Sequence, residues 1–163
     1  MHVGQGFSLE DTANVIRFHV LGMYVPSLFT GFIIERIGVS KLMFIGALTL
    51  LGTSIVGLLG HSYLHYWWAL LLLGVGWNFL YVGGTTMLTY TYSLSERYRA
   101  QAVNEFLVFG TSATASLLAG TVMHYFGWTT LMLIPVPVLL AICVALIAVR
   151  NDPLLNREAR VNA

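Results

Sequence analysis

Two long tracts without a charged side chain constrain the fold more than any other feature of the sequence. Residues 42–95 form a run of 54, and residues 106–149 a run of 44, in which no Asp, Glu, Lys or Arg occurs. At 1.5 Å per residue the first run would make a single helix of about 80 Å, whereas the hydrocarbon core of a bilayer is roughly 30 Å thick. Each tract is therefore predicted to cross a membrane twice.

The composition agrees with a membrane location. The chain of 163 residues is 57% hydrophobic and only 9% charged, whereas soluble domains carry roughly 25% charged residues on surfaces that face water. The lipid bilayer is therefore predicted to surround most of the chain. The net charge of +1 gives no indication of a nucleic-acid partner. The predicted fold class is an all-α membrane protein, a polytopic bundle of about five transmembrane helices.

Polar, glycine and aromatic residues mark the places where the chain turns back. They lie at residues 60–65 and 124–128, and Tyr and Trp favour the headgroup level of a bilayer. A further apolar stretch precedes the first uncharged tract. The sequence thus predicts one transmembrane domain with spans at about 12–35, 41–60, 66–91, 101–124 and 129–149, followed by a tail of residues 150–163.

Basic residues alternate from loop to loop, which predicts the orientation. Seven of the eight Lys and Arg residues fall in the loops after the first and third spans and in the tail: Arg36, Lys41, Arg97, Arg99, Arg150, Arg157 and Arg160. Cytoplasmic loops carry the excess of basic residues. These loops and the C-terminus are therefore predicted to be cytoplasmic, in a multi-pass protein of the cytoplasmic (inner) membrane.

That orientation places the N-terminus outside, although residues 1–12 contain neither Lys nor Arg and no cleavable signal pattern. An upstream helix that starts in the cytoplasm explains this geometry most simply. The chain is therefore expected to lack the beginning of a longer protein. A genuine five-helix protein with an external N-terminus is the alternative.

The third span carries a polar stripe. Six positions fall within an arc of about 80° on a helix: Gly74, Asn78, Tyr81, Thr85, Thr89 and Tyr92. Lipid offers no hydrogen bonds, so the stripe must face a water-filled cavity or other helices. Cavity lining is the favoured interpretation. The alternative is helix–helix packing, which the neighbouring glycines would permit.

Arg17 and His19, near the start of the first span, point about 200° apart. Arg17 shares its side with Tyr24 and is predicted to face the cavity, where it would suit an anionic substrate group; snorkelling to the headgroups is the alternative. His19 is interpreted as a hydrogen-bonded packing residue, with proton coupling as the alternative. Pro26 is predicted to kink this span.

Glu105 is the acidic residue best placed inside a span. An ionisable group there is costly and marks a candidate functional site. The favoured interpretation, however, is a structural role at the cytoplasmic helix start, with the helix dipole and Arg36, Arg97 or Arg99 as partners, and the functional role is the alternative. The predicted substrate-binding set is Arg17, Tyr24, Asn78, Tyr81, Thr85 and Glu105, and the proton-coupling candidates are Glu105 and His19.

No catalytic motif is recognisable in the sequence, so no enzymatic activity is predicted. His61 and His65 lie four residues apart in a loop, but two histidines do not complete a metal site. They are interpreted as interfacial residues, and neither a metal nor a cofactor is expected.

The turn after the first span resembles a loop motif of the major facilitator superfamily, G-xxx-D/E-R-x-G-xx-R/K. The matching residues are Gly31, Glu35, Arg36, Gly38 and Lys41. Residues 74–86 and 96–106 are similar to later segments of the same superfamily. The resemblance covers essentially the whole chain.

The resemblance implies that the five spans correspond to helices eight to twelve of a twelve-helix transporter. Spans one, three and four would then line the central cavity, and the absent N-terminal half would be the partner needed for alternating access. The expected function is secondary active transport of a small solute, with protons as the candidate coupling ion. The alternative is a non-transporting five-helix assembly or interaction subunit whose polar stripes are packing contacts.

Overall fold

The fold is helical throughout the part of the chain that the computed structural model describes, residues 6–149. Its helices are α1 Leu9–Tyr24, α2 Ser27–Ile37, α3 Val39–Leu59, α4 Tyr63–Thr89, α5 Arg97–Leu133 and α6 Pro135–Val149. The predicted all-α fold class is confirmed. The predicted tail, 150–163, lies outside the described residues.

A capping box starts α1. The Ser8 hydroxyl accepts a hydrogen bond of 3.0 Å from the Asp11 amide, and the Asp11 carboxylate accepts one of 3.0 Å from the Ser8 amide. Two amide groups that the first helical turn leaves free are thereby satisfied. The helix begins at Leu9, three residues before the predicted start of the first span.

The first predicted span is a bent pair of helices. The axes of α1 and α2 differ by 43°, and the break falls at Val25 and Pro26. Proline has no amide hydrogen and its ring clashes with the preceding turn, so it interrupts the helix. The predicted kink at Pro26 is confirmed.

The second and third predicted spans correspond to separate helices with ends shifted by one to three residues, whereas the last two predicted spans fall within one continuous helical stretch. By length and composition three described helices could cross a membrane, Val39–Leu59, Tyr63–Thr89 and a continuous Arg97–Val149 of 53 residues, and the bent pair makes a fourth. A straight helix of that length would measure about 80 Å.

Gly127 divides this long helix. Its φ of 78° and ψ of 177° are not helical, and this left-handed region favours glycine because it has no Cβ. Beyond it, the Trp128 indole donates a 2.7 Å hydrogen bond to the Gly57 carbonyl near the end of α3. The α6 segment then packs back along α3. The chain therefore reverses at Gly127, within the predicted turn at 124–128.

Helix α4 is the centre of the bundle and packs against both α1 and α3. A Cβ on Gly74 would collide with the His19 carbonyl oxygen and lie 3.0 Å from the Gly22 carbonyl carbon. Small residues let helix backbones approach closely in lipid, where dispersion contacts replace the hydrophobic effect as the main attraction. The absence of a side chain at Gly74 is therefore a condition for the contact between α1 and α4.

Helix α5 lies at the edge of the bundle. None of its residues is buried, and Phe106 and Leu117 are 78% and 81% exposed. Apolar side chains at that exposure are stable only against lipid or against further protein.

We expect Gly74→Ala to destabilise the protein because the added methyl must push α1 and α4 apart. Overpacking of this kind costs about 1–3 kcal/mol. The measurement is thermal unfolding of the purified protein in detergent. Gly52→Ala is the matched control, since its Cβ would meet only Leu72 at an ordinary 3.8 Å. Equal stability of the two variants would contradict the close packing described above.

Candidate functional site

Tyr81 and Glu105 meet between α4 and α5. The Tyr81 hydroxyl donates a hydrogen bond of 2.9 Å to Glu105 Oε2, and the Asn104 side-chain amide donates one of 3.3 Å to Glu105 Oε1. All three residues are half-buried. The structure thus brings together two of the predicted substrate-binding residues, and both carboxylate oxygens have a donor.

The pair lies well inside both helices. Glu105 is eight residues from the start of α5 and Tyr81 eight residues from the end of α4, which is about 12 Å from the helix ends in each case. Across residues 6–149 no ion pair joins Glu105 to the arginines expected as structural partners. Its carboxylate is stabilised by neutral donors, which offset part of the cost of removing a charge from water.

Asn78 is buried at the junction of α4 with the bent pair and is only 4% exposed. Its side-chain amide donates a 2.7 Å hydrogen bond to the Met23 carbonyl oxygen, and its Oδ1 lies 2.9 Å from the Thr30 hydroxyl. That hydroxyl is also 2.8 Å from the Pro26 carbonyl oxygen. Asn78 therefore joins three segments around the proline break, where backbone groups lose their regular helical partners.

Arg17 and His19 lie on different faces of α1, as their spacing predicts. His19 Nδ1 is 2.8 Å from the Leu70 carbonyl oxygen of α4. Arg17 is exposed and lies about 200° from the buried Val15. Tyr24, on the same side as Arg17, is 66% exposed. His19 thus makes a packing contact, while Arg17 and Tyr24 lie on the exposed side of α1. Tyr24 is nevertheless close enough to Tyr81 of α4 for the two side chains to interact electrostatically.

Thr85 belongs to the polar stripe but differs from its neighbours. Its hydroxyl oxygen is buried and has no hydrogen-bond partner among the described residues. A buried hydroxyl without a partner is costly. Thr85 is therefore the member of the stripe with unused hydrogen-bonding capacity.

The loop motif lies at the end of α2. Gly38, with a φ of 85°, separates α2 from α3. The Arg36 guanidinium lies 4.2 Å above the centre of the Phe32 ring, a cation–π contact. Glu35 and Lys41 are exposed, and a side chain at Gly31 would meet no atom within 4 Å.

The segment between α4 and α5 has a defined shape that the sequence did not predict. Gln101 donates a 2.7 Å hydrogen bond to the Tyr92 hydroxyl, and Glu96 accepts one of 2.8 Å from the Ser93 hydroxyl. The side-chain and backbone donors of Ser93 stabilise the charged form of Glu96 and lower the pKa of its carboxyl. A cleft of about 490 Å³ lies beside this segment, with Arg99 and Asn104 among its lining residues.

Two aromatic residues near the Tyr81–Glu105 pair were missed by the sequence reasoning. Trp77 lies almost parallel to Tyr81, with ring centres 6.1 Å apart and an angle of 4°. Phe109 contacts Tyr81 at 5.9 Å with an angle of 60°. Each lies four residues from a predicted site residue on the same helix, so a search of the i±4 positions would have found them.

Metal-binding side chains do not cluster in this part of the chain. Within residues 6–149 no group of three or more His, Cys, Asp or Glu side chains could hold a metal ion. His65 instead lies with its Nδ1 2.6 Å from the Ser62 hydroxyl, and His61 Nδ1 lies 3.3 Å from the Tyr66 hydroxyl.

An apolar exterior, helices joined by small residues, and polar contacts inside the bundle define a multi-pass helical membrane protein. Its family follows from comparison with known proteins. The model of the Major Facilitator Superfamily matches residues 5–162, and the chain belongs to this superfamily. The resemblance inferred from its loop motif is confirmed.

Three curated relatives resemble the chain. It is 41% identical over 145 residues to the riboflavin transporter RfnT of Brucella anthropi, which covers 89% of this chain and 36% of the relative. Two uncharacterised transporters of the same type from Bacillus subtilis, YdeG and YddS, are 30% and 31% identical over 79% and 80% of this chain. The chain spans about a third of the length of these relatives, 36%, 30% and 31%. No solved structure matches it significantly.

We expect Asn78→Ala to lower stability, because it removes a buried amide and the hydrogen bond to the Met23 carbonyl, while the Thr30 hydroxyl keeps only its contact with the Pro26 carbonyl. The cost of such a loss is about 1–3 kcal/mol. The measurement is the unfolding midpoint in detergent. Thr49→Val is the control, since the Thr49 hydroxyl bonds only to the Ile45 carbonyl of its own helix. An unchanged midpoint for Asn78→Ala would show that these contacts contribute little.

Proposed function

We propose that this chain is the C-terminal part of a secondary active transporter that moves a small solute across the cytoplasmic membrane. The observation that carries the proposal is the hydrogen-bonded Tyr81–Glu105 pair, held between two helices well away from their ends. A carboxylate at that depth is costly, and an edge helix without a buried residue leaves room for further protein beside it. Both features suit a cavity between two halves of a transporter.

Glu105 is the proposed contact for substrate and for a coupling proton. Its charged form accepts hydrogen bonds, and a substrate hydroxyl or N–H group can take the place of the Tyr81 hydroxyl. Protonation would remove the charge and convert one oxygen into a donor. His19 is the weaker coupling candidate, since its Nδ1 already contacts the Leu70 carbonyl.

The other proposed substrate contacts differ in how well the structure supports them. Arg17 and Tyr24 lie on the exposed side of α1, where a cavity completed by further helices would reach them, and Tyr24 is also near Tyr81. Thr85 supplies a hydroxyl with no partner among the described residues. Asn78 supports the bend at Pro26 and would meet substrate only if its contacts with Met23 and Thr30 open.

The riboflavin transporter among the relatives suggests the first solute to test. At 41% identity over 89% of this chain, we propose that the complete transporter carries riboflavin or a solute of similar shape. Alternating access would require the N-terminal half to rock against the half that contains this chain.

A second candidate function is a non-transporting membrane subunit that binds other helices. It is favoured by the buried Asn78–Met23 and Asn78–Thr30 contacts, which show that part of the polar stripe joins helices. Transport of any solute by the complete protein would exclude this candidate.

We expect Glu105→Gln to lower uptake of radiolabelled riboflavin at least about tenfold, because the variant loses both the negative charge and the titratable proton. The assay uses the protein encoded by the whole gene, expressed in a riboflavin auxotroph without its own uptake system. Glu10→Gln, an exposed change in the first turn of α1, is the matched control. Asn78→Ala is assayed beside them, and normal uptake by both Glu105→Gln and Asn78→Ala would remove the proposed site.

The proposed orientation can be tested by cysteine labelling. Ser95→Cys, in the loop just before Arg97 and Arg99, should react in intact cells with a membrane-permeant maleimide and not with an impermeant one. Ser62→Cys, in the opposite loop, should react with both. The native Cys143 is buried and gives a low background. Labelling of Ser95→Cys from outside would overturn the orientation.

A further inference from the structure

Three aromatic rings form one surface beside the polar pair. Trp77 and Tyr81 lie on consecutive turns of α4 with parallel rings, and Phe109 reaches Tyr81 from α5. Offset parallel and tilted arrangements with ring centres 4.5–7 Å apart are favourable geometries for aromatic pairs. We call Trp77, Tyr81 and Phe109 the aromatic surface.

The depth of this surface sets it apart from the aromatic residues of the membrane boundary. Trp77 is 14 residues from Tyr63 and 12 from Thr89 in α4, which is about 21 Å and 18 Å from the two helix ends. Boundary Trp and Tyr residues sit at headgroup level, near helix ends, and Trp67 and Trp68 lie near the start of α4. Trp77 lies in the middle of its helix, so anchoring at the membrane boundary does not explain its position.

The direction in which Trp77 points is set by the packing of α4. Asn78 lies on the side that meets α1 and α2, and Gly76 lies on the side that meets α3. Trp77 is about 100° from each of them around the helix, on the side shared with Tyr81 and α5. Trp77 is half-buried and Phe109 is 54% exposed. The aromatic surface is therefore open to whatever occupies the space beside α4 and α5.

The polar pair lies at one end of this surface. Trp77 is one turn from Tyr81, and Phe109 is one turn from Glu105, both in the direction away from the loop at residues 90–96. A flat ring that stacks on Trp77 or Phe109 would thus place its edge or a side chain near the Glu105 carboxylate. The arrangement combines apolar ring faces with a hydrogen-bond acceptor at their border.

We propose that the aromatic surface is the specificity-determining part of the substrate site and selects planar heteroaromatic solutes. This inference rests on the proposed transport function and names the class of substrate. The solute stacks on Trp77 and Phe109, while its N–H or hydroxyl groups donate to Glu105. Stacking recognises any extended π-system and rejects sugars and aliphatic amino acids of similar volume, which offer no ring face.

The test measures binding of riboflavin to the purified complete protein in detergent, through quenching of flavin fluorescence by stacked aromatic side chains. We expect Trp77→Leu and Phe109→Leu each to raise the dissociation constant about tenfold. Trp77→Phe should restore most of the affinity because a ring face is retained. Lumiflavin, which has the ring system without the ribityl chain, should compete, and ribitol should not.

Two controls keep the test informative if a variant folds poorly. Trp68→Leu and Phe106→Leu remove exposed rings from the same two helices outside the aromatic surface and should bind riboflavin as the wild type does. Every variant is first checked for a monodisperse size-exclusion profile and an unchanged unfolding midpoint. The Michaelis constant and the maximal rate of uptake are then each compared with those of the wild type.

The outcomes separate this inference from the proposed function. Wild-type affinity in both Trp77→Leu and Phe109→Leu would overturn the stacking role. Failure of riboflavin, lumiflavin and adenosine alike to bind, in a protein that transports a non-aromatic solute, would overturn the substrate class and leave transport intact. A complete protein that moves no solute would overturn the proposed function itself.

Discussion

The structure depends on the inability of lipid to form hydrogen bonds. Every polar group placed between the helix ends must find its partner within the protein. Thr49 and Thr53 satisfy this condition within α3 by bonding to carbonyl oxygens one turn earlier. Asn78 satisfies this condition between helices, because its side-chain amide donates a hydrogen bond to the Met23 carbonyl beside the proline break. The bend in the first span is tolerated because the Asn78 side chain of α4 forms a hydrogen bond with the backbone beside it.

Helix α4 combines three roles because its sides have different neighbours. Gly74 and Asn78 face the bent pair, and Gly76 faces α3 at a distance that leaves no room for a side chain. Tyr81 lies on nearly the same side as Gly74, about 20° away around the helix, but two turns further along, where its neighbour is Glu105 of α5. Packing, support of the kink and the candidate substrate site are therefore separated along α4 by depth as well as by direction.

The position of α5 connects the fold with the proposed function. A helix without a buried residue contributes little to the core, yet it supplies Glu105 and Phe109. Among the described residues, α5 meets α4 through the hydrogen bond between Tyr81 and Glu105 and the ring contact between Tyr81 and Phe109. Exchange of the Tyr81 hydroxyl for a substrate group at Glu105 would break the first of these contacts.

The sequence by itself determined the membrane environment, the helical fold class, the superfamily and the kink at Pro26. Each follows from local residue types or from the thickness of a bilayer. Only the tertiary structure decided how the polar stripe divides, because residues on one helical face can meet different neighbours at different depths. Asn78 was buried against α1 and α2, while Tyr81 was brought to Glu105, 24 residues away. The spacing of residues along one helix fixes the direction in which each side chain points, whereas the residue that it contacts depends on where the other helices lie.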